Sequence, residues 1–200
     1  MVATVERART RLTVDDLLTL NKEGRDGELW EGDFVEVTPT GGPQGRIIRR
    51  LSPIDRLVDE LGIGEAWGGE SGFTLHLTSG QDTVLAPDLA VVPVSYARTV
   101  NRHHRGFHDV TPLLAIEVKS PSDEEKDIAR KLAMYLDAGV PEVWWLRPDD
   151  ATVTRHWPDR GPTVLGLGET VEGVGLLPGF SMKVDDMFPP EEAEEPSETM

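Results

Sequence analysis

Cysteine is absent from the 200 residues, which excludes disulfides, thiolate metal sites and a cysteine nucleophile. The opening stretch MVATVERART carries no apolar run of the kind a secretory signal needs, and nowhere does an uninterrupted apolar run approach the length that crosses a bilayer. A cytoplasmic protein with no membrane partner is the expectation. Basic charge is also scarce: 20 Lys and Arg stand against 36 Asp and Glu, a formal charge of −16. Such a balance argues against a protein that coats nucleic acid non-specifically, although it leaves room for a local basic groove. Internal repeats are missing too.

What is present fits one domain with a substantial core. Residues 1–12 read as a flexible N-terminus and 13–188 as a single domain. Five glutamates (Glu191, Glu192, Glu194, Glu195 and Glu198) crowd the end of the chain, in PPEEAEEPSETM, and without them the net charge is −11. Residues 189–200 read as a disordered, solvated acidic tail.

Along the domain, LTVDDLLTLN predicts a helix capped by Thr13, and GELWEGDFVEVTP a hairpin turning at Gly32-Asp33. Apolar residues recur at helical spacing from Arg46 to Leu61, with Pro53 as a kink, and Arg46, Arg49 and Arg50 fall on one cationic face of that helix. Three β-like segments, GFTLHLTS, VLAPDLAVVPV and LLAIEVKS, should build the sheet. After Pro121, Ser122 and Glu125 have capping-box spacing, and Ile128, Leu132, Tyr135 and Leu136 form a stripe that ends at Gly139. PEVWWLRP and ATVTRHW read as a hairpin across Pro148-Asp149-Asp150.

The chemistry lies in LLAIEVKSPSD. Residues two apart on a strand share a face, so Glu117 and Lys119 project together from an otherwise apolar strand. An uncompensated charge inside a sheet costs several kcal/mol, so a partner or a metal ion has to offset it. In LAPDLAVVP a second carboxylate, Asp88, opens an apolar strand, and adjacent strands would set it beside Glu117. Two carboxylates suit a hard divalent ion such as Mg²⁺ or Mn²⁺, which prefers oxygen ligands. Lys119 could then orient or deprotonate an attacking water and stabilise charge on a phosphate. The plainer alternative is an ion pair on a solvated face.

Pro87-Asp88 followed by Glu117-Val118-Lys119 and a helix resembles the PD-(D/E)XK nuclease motif. From about residue 13 to 188 the chain is similar to the Uma family, described as putative restriction endonucleases. GELWEGDFVEV resembles its first hairpin, GESGFTLHL and APDLAVVP its middle strands, IEVKSPSD its active strand, and KLAMYLDAGVPEVWWLRP its helix and next strand. The resemblance implies an α/β, restriction-endonuclease-like fold: a mixed β-sheet flanked by helices. It also implies cleavage of DNA, with Asp88, Glu117 and the Val118 carbonyl on the metal ion and Lys119 as the catalytic lysine. Two departures stand out. Gln44 occupies the place where many members carry a histidine, and Lys131 stands in the following helix where members without a strand lysine often have theirs. The i+2 geometry favours Lys119.

Around this set, Glu28 and Glu70 could approach the metal, although each reads more simply as an exposed turn carboxylate. Lys131 flanks the apolar stripe and is expected to run its stem along it with the amine in water. His103, His104 and His108 are too irregularly spaced for a metal cluster and read as a polar loop. Together with Arg98, Arg102 and Arg105 they make a cationic stretch, the second candidate for phosphate contacts after Arg46, Arg49 and Arg50. Trp144 and Trp145 read as core or interface residues. Weak affinity for DNA follows from the net charge, and a homodimer is compatible with the sequence. The rival function is a catalytically silent binding or assembly module on the nuclease fold.

Overall fold

A computed structural model describes residues 11–37, 42–69, 71–173 and 175–188. Glu70, most of the expected flexible N-terminus and the acidic tail lie outside the described residues. The chain begins with α1 (Val14–Lys22), strands β1 (Gly27–Trp30) and β2 (Asp33–Glu36), and helices α2 (Gly42–Arg50) and α3 (Ser52–Leu61). Strands β3 (Gly64–Gly68), β4 (Phe73–His76), β5 (Asp82–Leu85) and β6 (Leu89–Pro93) follow, then α4 (Val94–Ala97), β7 (Leu114–Val118) and α5 (Glu125–Asp137). The remainder comprises β8 (Val143–Arg147), β9 (Thr152–His156), β10 (Thr163–Leu165), β11 (Thr170–Glu172), β12 (Ser181–Lys183) and α6 (Val184–Met187).

The result is the expected mixed α/β architecture. The main sheet runs β10-β9-β8-β7-β6-β3, with β7 and β8 parallel and every other pair antiparallel. A second sheet runs β2-β1-β5-β4. Strand alternation splits the core into two layers. Leu114, Ile116, Val118, Trp144 and Leu146 pack with Ile47, Leu51, Ile54 and Val58 of the α2–α3 region, whereas Ala115, Val143 and Trp145 pack with Ile128, Met134 and Tyr135 of α5. Trp30, Phe73, Leu75 and Leu85 of the second sheet join the α5 layer, so this side of β7 is covered by both a helix and a sheet.

Local chemistry explains where the elements break and where sequence pattern misleads. The first hairpin turns at Glu31-Gly32, not Gly32-Asp33: both residues have positive φ, 51° and 84°, and Trp30 pairs with Asp33. Pro53 does not kink one long helix. It lies in the first turn of a separate helix, α3, where its missing N–H leaves no intrahelical bond unmade. VLAPDLAVVPV is not one strand but two, β5 and β6, in different sheets; Pro87 has no N–H to give a ladder and the Ala86 N–H goes to the Glu28 side chain, so the chain changes sheets between Ala86 and Asp88. GFTLHLTS likewise belongs to the second sheet, and β3 takes the edge of the first.

The expected capping box at Ser122 is absent. The Asp123 carboxylate instead accepts from the Ser120 N–H and hydroxyl, both at 2.8 Å, and α5 starts at Glu125 without a side-chain cap. Thr13 does cap α1, in a reciprocal box with Asp16, and Gly139 closes α5 at φ 82°.

Candidate active site

The register of β6 and β7 builds the site. Leu89 pairs with Ile116, which places Asp88, one residue before β6, opposite Glu117 on the α5 side of the sheet. The Val118 N–H donates to Asp88 Oδ2 at 2.7 Å, whereas the Lys119 N–H donates across to Leu146 of β8 at 2.9 Å. Alternation therefore turns the Val118 carbonyl toward the Asp88 side. Gln44, near the start of α2, donates its amide to that carbonyl at 3.1 Å. Asp88, Glu117 and Val118 thus meet where the chain crosses between sheets.

Beneath them lies a polar network. Glu117 Oε1 accepts from the Tyr135 hydroxyl at 2.6 Å and from Lys131 Nζ at 2.8 Å, and the same amine lies 2.9 Å from Glu28 Oε1. Lys131 and Tyr135 are four residues apart on α5 and so present one face to β7. Glu28, on β1, also accepts from the Ala86 N–H at 2.6 Å and, through Oε2, from the Trp30 indole at 2.8 Å. Glu28 and Glu117 are 3% and 6% exposed, so their charges need these partners.

Burial pushes the Glu117 carboxyl up to about 8; Lys131 pulls it down, while Asp88 and Glu28 reinforce the rise. Burial also raises Asp88, against the pull of the Val118 N–H and Lys131. Desolvation works against the Lys131 ammonium, but Glu117 and Glu28 outweigh it and hold its pKa above the ordinary lysine value. Tyr135 is raised well above its usual range by burial and by the neighbouring carboxylates, and stays a donor.

The structure therefore brings Asp88, Glu117, Val118, Gln44, Glu28 and Lys131 together. Lys119 follows the last residue of β7, and its amine pairs with Asp149 Oδ2 at 3.3 Å. Two expectations are corrected. Glu28 is not an exposed turn carboxylate, because β1 carries it inward. Lys131 does not end in water, because two buried carboxylates offer its amine better partners than solvent at a site only 13% exposed. Tyr135 and the Ala86 N–H were missed by sequence reasoning, although a lysine and a tyrosine four apart within an apolar stripe are the trace of such a network.

Arg46 and Arg49 are exposed on α2, and Arg50 donates to the Asp186 carbonyl at 3.1 Å. Arg98, Arg102 and Arg105 are exposed in the α4–β7 connection, and His104 stacks on His108 among Trp67, Phe73 and Tyr96, a packed aromatic group. Trp144 and Trp145 are core residues, 0% and 4% exposed.

Among the described residues no three His, Cys, Asp or Glu side chains are placed to share one metal ion. A cation here would rest on two carboxylates, the Val118 carbonyl and water. That donor set is all oxygen and fits Mg²⁺ or Mn²⁺, which keep several waters. Asp88 is only part-buried, and among the described residues its one hydrogen bond is accepted through Oδ2.

Comparison with known proteins bears on the family and the fold. The model of the Uma2 family, described as "Putative restriction endonuclease", matches residues 14–185. No curated protein matches the chain. A crystal structure of a putative nuclease belonging to DUF820, from Anabaena variabilis, superposes with a TM-score of 0.73 over 88% of this chain and 97% of that one, at 21% identity. At that identity the likeness speaks for the fold.

Proposed function

Because the chain belongs to the Uma2 family, described as putative restriction endonucleases, we propose that it is an endonuclease that hydrolyses DNA phosphodiester bonds with Mg²⁺ or Mn²⁺. The observation that carries this reading is the convergence of Asp88, Glu117 and the Val118 carbonyl on one edge of β7, with two amines nearby. Asp88 and Glu117 are the residues that would hold the ion, with the Val118 carbonyl beside them. Bound there, it would polarise a phosphoryl oxygen and make water a better nucleophile at neutral pH.

Lys119 takes the chemical role. Its partner Asp149 is 71% exposed, and such pairs contribute only about 0–1 kcal/mol, so an incoming phosphate can displace it. The amine then orients or deprotonates water and offsets charge developing on the phosphate. Arg46 and Arg49 extend from the same helix as Gln44, which makes α2 the nearer of the two phosphate-contacting surfaces; Arg102 and Arg105 form the other.

Incubating the full chain with plasmid, linear and single-stranded DNA, with Mg²⁺, with Mn²⁺ and with a chelator, tests the proposal. Cleavage that needs the divalent ion and disappears in Asp88→Asn is expected. Cleavage of RNA alone would change the substrate, and no cleavage of any nucleic acid would favour the silent binding module.

A further inference from the structure

The hydrogen bonds of the two buried glutamates are unevenly shared between their oxygens. Glu28 has both oxygens engaged: Oε1 by the Ala86 N–H and Lys131, Oε2 by the Trp30 indole. Glu117 accepts the Tyr135 hydroxyl on Oε1, the oxygen 2.8 Å from Lys131 Nζ, and among the described residues no hydrogen bond reaches its Oε2. Asp88 repeats the pattern, with Oδ2 held by the Val118 N–H.

We infer that Glu28, Lys131 and Tyr135 are positioning residues, which hold Glu117 with a single oxygen turned outward, and that the site consequently takes one divalent cation with Glu28 outside its coordination sphere. This rests on the metal-dependent reading above. The physical reason is competition for lone pairs. A carboxylate oxygen already shared by a hydroxyl and an ammonium, or by a backbone N–H and an ammonium, has to lose a charge-assisted hydrogen bond before it can serve a metal ion. One open oxygen on each of two carboxylates, with a carbonyl and waters, completes a single Mg²⁺-like shell; a second ion would have to evict Lys131 from between Glu28 and Glu117. Lys131 thereby has a role distinct from that of Lys119: it supplies the positive charge that lets Glu117 stay in place before any ion arrives.

Calorimetric titration of the full chain with Mn²⁺ alone tests this. The parent should bind one ion. Glu28→Gln should also bind one, within about 3-fold of the parent affinity, whereas Asp88→Asn and Glu117→Gln should each lose affinity by at least about 10-fold, the scale of one charge-assisted contact. Tyr135→Phe should keep a stoichiometry of one with affinity lower by several-fold. In cleavage assays Glu28→Gln should lower kcat and leave KM for DNA unchanged, as misplacing a catalytic group does. If Glu28→Gln does not fold, Tyr135→Phe, which keeps every charge of the network, carries the test: a stoichiometry of one supports the inference and two ions per chain overturn it. Two ions per chain, or a loss in Glu28→Gln matching that in Glu117→Gln, overturns the inference and leaves the nuclease reading standing. A parent that binds no Mn²⁺ overturns both.

Discussion

Two amines border the Glu117 strand, one in the seam between α5 and the main sheet and one where β7 and β8 end. Their exposures are almost equal, 13% for Lys131 and 14% for Lys119. Their partners are not. Lys131 lies between Glu28 and Glu117, whose side chains are 4% and 8% exposed, whereas Lys119 faces an aspartate that is 71% exposed. An ion pair closed to water on both sides is costly to break from one end, and one open to water is not. The comparison teaches that the position of an amine near a carboxylate does not fix its role; what decides is whether its partner can be exchanged for substrate.

The largest effect expected from that difference is on stability. Lys131→Ala leaves two buried carboxylates facing each other without a cation and should lower unfolding free energy by about 3–5 kcal/mol, read by chemical denaturation in a chelator. Lys119→Ala should change it by about 1 kcal/mol or less. Equal losses would erase the distinction.

Next in size is a pH effect confined to the seam. The Glu117 pKa is raised to about 8 from an ordinary 4.5, so between these values the folded chain binds the proton that the unfolded chain has released. Stability in chelator should therefore be greatest below about pH 4.5 as far as this group is concerned, decline as pH rises, and level off above about 8. Glu117→Gln should flatten that slope. A slope unchanged in the variant would assign the titration elsewhere.

Smaller again is the effect of the outer surface. Arg49→Ala with Arg50→Ala should reduce the slope of log affinity for DNA against log salt by about 2 if both arginines contact phosphates, with no change in sequence preference. An unchanged slope would remove α2 from the binding surface and leave Arg102 and Arg105 as the candidates.

The sequence made some of this legible and hid the rest for physical reasons. Asp88 and Glu117 could be paired in advance because Glu117 sits on a short apolar strand and Asp88 immediately precedes another, and strand neighbours follow from periodicity and turn residues. The same two-residue period predicts a shared face for Glu117 and Lys119, but β7 ends at Val118 and the Lys119 amine pairs with Asp149. Glu28 and Lys131 were not assignable, because their contact crosses from the second sheet to α5 and no local spacing encodes a meeting between layers. Nor could the break between β5 and β6 be read easily: Pro87 announces an interruption, but only the second sheet reveals that the chain changes partners there. At Ser122 the capping pattern was present in letters and absent in structure, since Asp123 bonds backward to Ser120 and leaves no side-chain cap for α5.

The most direct test of the assigned roles uses one variant and two readings. Lys119→Ala should bind Mn²⁺ within about 2-fold of the parent and cleave plasmid under single-turnover conditions about 10²-fold or more slowly, the scale of losing a general base or a charge stabiliser. Cleavage at the parental rate, with Lys131→Met inactive though folded and loaded with Mn²⁺, would contradict it, placing the reacting amine on α5 and reducing Lys119 to the partner of Asp149.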